Sequence, residues 1–357
     1  MSNHLLLSIM INAMINKNKI KYVKMDEIFQ EKSFNKKVNI FIDLTNIVKN
    51  LYIKGVAEEL SAFSNFIDKF SIISDFVGIA SHYRKYFYRR FGSNTNIYYI
   101  YMNKPPIINR KEYKDYGTNI ISVYRNVDFQ LLNDYMRKSI KLFCSLARYL
   151  PKIDVVLTDG KDISILPKVI LESEEEFYND SNVIVTTDNT FYQYLKFDNW
   201  SILYPRGDNS KLITSDNLYS EVCKKLTYRP QNISPEYLSV LYALTGLRHR
   251  NITSVKGCGL MKICKLLENI NGLNGISVIQ YILKEIDKED MFDEILKRYR
   301  SIDIDVEDSL LRYEDRNISQ YINDGYRSQE LDIINSKFFI NNSLDLNGLI
   351  IGTEYEN

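Results

Sequence analysis

The sequence predicts an α/β protein, with a largely parallel sheet flanked by helices and a helical region after it. Three observations carry this. Short, mostly apolar runs such as Val38-Asn39-Ile40-Phe41-Ile42-Asp43 and Asn182-Val183-Ile184-Val185-Thr186-Thr187 have the character of strands buried on both faces. Stretches with apolar residues at helical spacing separate such runs, the alternation that parallel strands require. From about residue 229 the pattern turns helical and stays so to about 325. The chain then divides into an N-terminal extension over 1–37, an α/β domain over 38–228 and a helical domain over 229–357.

Taken in order, residues 1–37 are Lys- and Asn-rich and lean towards helix, with no recognisable chemistry. The run over 38–43 reads as a strand ending in Asp43, and residues 46 to about 90 carry helical spacing. Asn96–Met102 (NIYYIYM), bounded by Gly92-Ser93-Asn94 and Pro105-Pro106, reads as a second strand. Residues 103–123 are basic and loop-like, and 128–150 look helical. A strand over 153–158 precedes a turn at Asp159-Gly160 and a helix from about Ser164 to Phe177, whose first turn accommodates Pro167. Residues 182–187 form the clearest strand, followed by Asp188 and a helix, and Trp200–Tyr204 adds one more. Weaker strand-like runs lie near Phe338 and Leu349, and no internal repeat or low-complexity linker is visible.

Composition excludes several classes. A net charge of +1 over 357 residues gives no global field for nucleic acid, so a binding face must be a local patch. Cys144, Cys223, Cys258 and Cys264 form no C-x-x-C pair and only His4, His82 and His249 accompany them, which argues against a Cys/His zinc site and for buried free thiols. Leu5–Met14 is apolar but shorter than the ~20 residues a membrane span needs. It also lacks the basic start and cleavage site of a signal peptide. The expected location is the cytoplasm, with no membrane partner. The 27 tyrosines beside many Ile, Asn and Lys suggest an AT-rich coding genome such as that of a phage or virus, which would place the protein in a host cytoplasm or a virion.

Two groups of residues suggest chemistry. Asp43 and Asp188 each follow an apolar run, so a parallel sheet would bring both to the rim where ligands collect. Carboxylates gathered on one rim suit Mg²⁺, although an Asp after a strand also caps the helix that follows. The second group is Ser254-Val255-Lys256-Gly257-Cys258-Gly259, which leads into Leu260-Met261-Lys262-Ile263-Cys264-Lys265. Two glycines permit a tight turn, and the helix N–H groups after it favour a phosphate, with Lys256, Lys262 and Lys265 adding charge. A plain helical hairpin with Leu260, Ile263, Leu266 and Leu267 in the core explains the same residues. The basic, aromatic run His82–Arg90 could stack on bases, but an amphipathic helix with buried tyrosines accounts for it equally well.

The stretch Gly246-Leu247-Arg248-His249-Arg250-Asn251-Ile252-Thr253-Ser254-Val255-Lys256-Gly257-Cys258-Gly259 resembles a segment of the flap endonuclease and 5′→3′ exonuclease family, Gly-Asp-x-x-Asp-Asn-hydrophobic-x-Gly-Val-x-Gly-hydrophobic-Gly. The resemblance extends over most of 38–270. Phe41-Ile42-Asp43 resembles the family's opening strand, Val185-Thr186-Thr187-Asp188 its strand followed by Asp, and Arg110-Lys111-Glu112-Tyr113-Lys114 its basic arch run. It implies a PIN-like nuclease fold, a helix–two-turn–helix gripping the duplex backbone, and a metal site. It also implies nucleic-acid contacts at Arg110, Lys114, Lys256, Gly257, Gly259, Lys262 and Lys265.

Most of the family's metal-binding acids are replaced. Tyr101-Met102-Asn103-Lys104 stands where the family has Phe-Asp-Gly-Lys. Gly160-Lys161-Asp162-Ile163-Ser164-Ile165 stands for Gly-x-Glu-Ala-Asp-Asp, and Leu247 and Arg250 take the places of two aspartates. Asp43, Asp162 and Asp188 keep a carboxylate, a weak and partial site for a single Mg²⁺. The leading expectation is a catalytically degenerate relative that binds duplex or branched DNA in phage- or virus-type replication, repair or packaging, with a replication or virion protein as a further partner. The alternative is an active Mg-dependent, structure-specific 5′ nuclease in which Asp43 and Asp188 are catalytic. A fold kept only for protein interaction is a third.

Overall fold

The computed structural model describes residues 37–45, 82–104, 154–159, 163–171, 174–205, 210–224, 233–247, 252–305 and 318–321. The expectations for 1–36, for the helical stretches 46–81 and 128–150, and for the runs near Phe338 and Leu349 lie outside them.

Among the described residues, seven strands form one sheet: β1 (Val38–Asp43), β2 (Thr95–Lys104), β3 (Asp154–Asp159), β4 (Ser181–Val185), β5 (Trp200–Tyr204), β6 (Lys211–Ile213) and β7 (Ile318–Tyr321). Their order is β6-β5-β4-β1-β2-β3-β7. The five inner strands are parallel, and β6 and β7 close the edges in the antiparallel sense. The chain builds outward from β1 through β2 to β3, then returns to the other side of β1 for β4 and β5. That reversal puts the carboxyl ends of β1 and β4 at the switch point of the sheet, the place where open α/β sheets bind ligands.

All six residues of β1 are buried, which is why its sequence shows an apolar run rather than an alternating one. Three asparagines are paired across the sheet. Asn96 Nδ2 donates to Asn39 Oδ1 at 2.9 Å, and Asn39 Nδ2 donates to Asn182 Oδ1 at 3.0 Å. These three asparagines occupy matched positions on β2, β1 and β4, and Asn182 Nδ2 continues the row to Phe177 O (3.1 Å) outside the sheet.

The helices are α1 (82–91), α2 (Leu166–Ile170), α3 (Glu174–Asn179), α4 (Leu218–Val222), α5 (Leu238–Thr245), α6 (Leu260–Leu267), α7 (Gly275–Glu285) and α8 (Phe292–Ile302). None of the described helices is long and apolar enough to cross a membrane. In α1, Tyr83, Arg84, Phe87 and Tyr88 are buried and the Arg84 guanidinium lies 4.7 Å over the Tyr88 ring, so these rings pack inward.

Three details depart from the sequence reading. The helix expected over 164–177 is a 3-10 turn, then α2 and α3, because Leu171 leaves helical geometry (ψ 53°) as its side chain enters the core. β6 is three residues long and makes no apolar run of its own. β7 falls inside the stretch expected to be helical, where four residues are captured as an edge strand by β3.

One apolar core runs from the sheet into the later helices. Phe41 stacks between Tyr98 (5.2 Å) and Trp200 (5.8 Å), and Trp200 meets Tyr194 at 4.4 Å. The same cluster includes Leu241 of α5, Ile263 of α6, Ile279 of α7 and Ile295 of α8. At the centre of this junction Gln193 is buried. Its Nε2 donates to Thr190 O (2.9 Å) and Ile302 O (2.6 Å), while its Oε1 accepts from Ser239 Oγ (2.7 Å) and Ile304 N (3.2 Å). Cys223, Cys258 and Cys264 are free and buried, with the sulfurs of Cys223 and Cys264 3.8 Å apart.

Candidate functional site

The carboxyl ends of β1 and β4 bring Asp43 and Asp188 together through a threonine. Thr186 Oγ1 donates to Asp43 Oδ2 at 2.7 Å and accepts from Asp188 N at 2.9 Å. Asp188 Oδ1 in turn accepts from Thr190 N at 2.9 Å and from Thr190 Oγ1 at 2.6 Å. Asp43 is 0% exposed and Asp188 4%. Asp188 is thus the N-cap of the 3-10 helix Asn189–Lys196, the structural role an Asp after a strand can take. Thr186 is the residue that the sequence concealed: in Val-Thr-Thr-Asp it reads as the tail of a strand, yet it bridges the two acids.

These bonds form a hydrogen-bond network at the sheet edge. Mg²⁺ takes near-octahedral oxygen ligation, and a two-ion site needs several carboxylates facing a shared space. Among the described residues no three His, Cys, Asp or Glu side chains group so as to hold a metal. The carboxylates of Asp43 and Asp188 accept instead from hydroxyls and a backbone amide. Leu247 is buried in the apolar cluster, so its position offers no ligand. Asp162, Arg250, Arg110 and Lys114 lie outside the described residues.

A stability measurement separates the two roles. Asp188→Ala is expected to destabilise the fold by about 2–3 kcal/mol, because it strips a buried N–H and a buried hydroxyl of their charged acceptor. Asp188→Asn keeps an oxygen there and should recover at least half of that loss in urea denaturation without added metal. An Asp188→Ala protein as stable as wild type would remove the capping account.

The second group forms at the end of α5. Gly246 leaves the helix at φ 85°, and Leu247 and Ile252 pair as an antiparallel bridge, with Leu247 N to Ile252 O at 2.8 Å. Val255 N then bonds Leu244 O at 2.9 Å, which folds the turn back onto α5. Gly257 takes φ 91°, a backbone state that side chains rarely adopt, and Gly259 forms the N-cap of α6. The first intrahelical bond of α6 runs from Ile263 N to Gly259 O. The N–H groups of Leu260, Met261 and Lys262 therefore have no acceptor within the helix, and no side chain caps them. Lys256 and Lys262 are exposed around this end and Lys265 is exposed in the last turn of α6, while Ile263, Cys264 and Leu267 anchor the helix in the core. Beside the turn lies a cleft of about 610 Å³, bordered by Asn189 from the sheet edge and by Tyr242 of α5.

The chain matches no family model and no curated protein sequence. Its similar solved structures include nucleases of bacteriophage T5 and the catalytic core of Rad2. The T5 flap endonuclease, in a complex with DNA and metal ions, has 14% identity and a TM-score of 0.47, with 75% of this chain and 89% of that chain covered. The T5 5′-exonuclease with bound zinc has 12% identity, a TM-score of 0.47 and the same coverage. The Rad2 core in complex with DNA has 12% identity and a TM-score of 0.44, with 92% of this chain and 94% of that chain covered.

Proposed function

We propose that this protein binds the phosphate backbone of DNA through the turn at Lys256–Gly259 and the amino end of α6, and that its sheet edge does not perform two-metal hydrolysis. The observation that carries the reading is the uncapped, solvent-facing start of α6 beside the exposed Lys256 and Lys262. Its amides and the helix dipole favour an anion, and such contacts position a duplex without reading its sequence. The threonine-bridged acids of the sheet edge support the non-catalytic half. The setting we propose is phage- or virus-type DNA replication, repair or packaging in a host cytoplasm, with a replication or virion protein as a further partner. An active, Mg-dependent 5′ nuclease is the second reading. The observation that favours it is the common rim position of Asp43 and Asp188.

Lys262→Ala tests the binding half. It should weaken duplex affinity several-fold at low salt and reduce the slope of log affinity against log salt by about 1, as loss of one phosphate contact does. Fluorescence anisotropy across a salt series reads both. An unchanged affinity and slope would take the phosphate contact away from α6.

A further inference from the structure

The glycine turn is tied back to the end of α5 at two places, the Leu247–Ile252 bridge and the bond from Val255 N to Leu244 O (2.9 Å). Thr253 and Ser254 lie between these ties and are exposed. A third tie comes from α8. Arg298 Nη1 donates to Thr253 O at 2.6 Å, and its Nη2 reaches Thr253 Oγ1 at 3.3 Å. Nη2 also donates to Glu294 Oε1 at 2.5 Å, one helical turn earlier on α8.

This guanidinium is suited to hold backbone rather than to meet a ligand. The Arg298 side chain is 17% exposed against 56% for Glu294, whose carboxylate offsets its charge. Donors set in a rigid planar fork let one arginine bond a carbonyl, a hydroxyl and a carboxylate together, which the compact ammonium of lysine does not reproduce. An exposed ion pair contributes little to global stability, and one charge-assisted bond to a backbone carbonyl contributes modestly. Ties of that size do not decide whether the chain folds. They restrict a short exposed segment, and Lys256 stands three residues beyond Thr253.

We propose that Arg298 is a positioning residue for the phosphate contact. From α8 it holds the segment that leads into the Lys256–Gly259 turn, and it does so without touching DNA. This rests on the phosphate contact proposed for the turn and the amino end of α6. It adds α8 to the elements on which DNA binding depends, through a residue that carries a positive charge yet works by geometry.

The test compares wild type, Arg298→Ala, Arg298→Lys and Lys262→Ala as full chains, by fluorescence anisotropy with a short DNA duplex across a salt series and by amide hydrogen exchange. In Arg298→Ala the duplex affinity should fall about fivefold at low salt, the size of one net hydrogen bond, with the slope of log affinity against log salt unchanged. The amides of Val255 and Cys258, bonded to Leu244 O and Val255 O, should exchange several-fold faster, while that of Ile279 in α7 keeps its rate. Arg298→Lys keeps the charge but not the fork and should recover only part of the lost affinity. Unchanged affinity, or unchanged exchange at Val255 and Cys258, in Arg298→Ala overturns the proposal. So does a slope reduced by about 1, which would make Arg298 a phosphate contact itself. Full recovery in Arg298→Lys would make the effect one of charge, and equal acceleration at Ile279 one of general stability, and either result overturns it too. Should Lys262→Ala lower affinity and slope while Arg298→Ala changes neither, the phosphate contact stands and only the role of Arg298 falls. Should neither substitution alter duplex binding, both fall.

Discussion

Gly246→Ala should be among the most damaging single substitutions in this protein, with an expected cost of about 3 kcal/mol or more. Gly246 has φ 85° and ψ 157°, a region open in practice to glycine alone. Space adds to the strain. A Cβ there would lie 2.6 Å from Ile252 O, 2.7 Å from Ser254 N and 3.0 Å from Thr253 C. All three are backbone atoms, so no side chain can swing away. Relief requires opening the Leu247–Ile252 bridge, which starts the glycine turn, and phosphate binding should fall with stability. Gly257→Ala is the control. It carries a positive φ of 91° but meets nothing within 4 Å, so only backbone strain of roughly 1–2 kcal/mol applies. Urea denaturation of both variants ranks them, and a smaller loss at Gly246 than at Gly257 would contradict the packing described here.

Gln193→Leu should come next, at about 2–4 kcal/mol, despite its similar volume and greater hydrophobicity. The amide spans three parts of the fold. It holds the carbonyl of Thr190 beside the sheet edge, the hydroxyl of Ser239 on α5, and the backbone of Ile302 and Ile304 at the end of α8. Leucine would leave the Ser239 hydroxyl and the Ile304 amide buried without that acceptor. The effect should appear both as a lower denaturation midpoint and as faster amide exchange at Ile304. Ser239→Ala removes one of these bonds and should cost about 1 kcal/mol. Equal losses for the two variants would mean that Gln193 does not join these elements.

The inner strands were legible because they are covered on both faces. β1, β2, β4 and β5 each keep a compact apolar run; β1 and β5 have the boundaries read from the sequence, and those of β2 and β4 differ by one or two residues. The edge strands were not legible. β6 and β7 are three and four residues long and owe their form to a neighbouring strand rather than to their own pattern. Leu171 likewise breaks a stretch of helical spacing for the sake of core packing.

At the site, the rim position of Asp43 and Asp188 could be inferred from strand ends, but their bonding could not. A helix cap and a metal ligand look alike in sequence, and the bonds from the Thr186 and Thr190 hydroxyls arise only on folding. Gly257 and Gly259 announced a turn, whereas the backbone contacts that demand glycine at Gly246 arise only on folding.

On the proposed function, the turn and α6 bind DNA and the sheet edge does not cut it. The most direct test is one assay on 5′-flap and plain duplex DNA with Mg²⁺ or Mn²⁺, following mobility shift and cleavage in the same samples. Wild type, Lys262→Ala, Asp43→Ala and Asp188→Ala would be compared. The account predicts a shift without cleavage, weakened by Lys262→Ala. Cleavage by the wild type that disappears in folded Asp43→Ala and Asp188→Ala proteins would contradict it and establish an active nuclease.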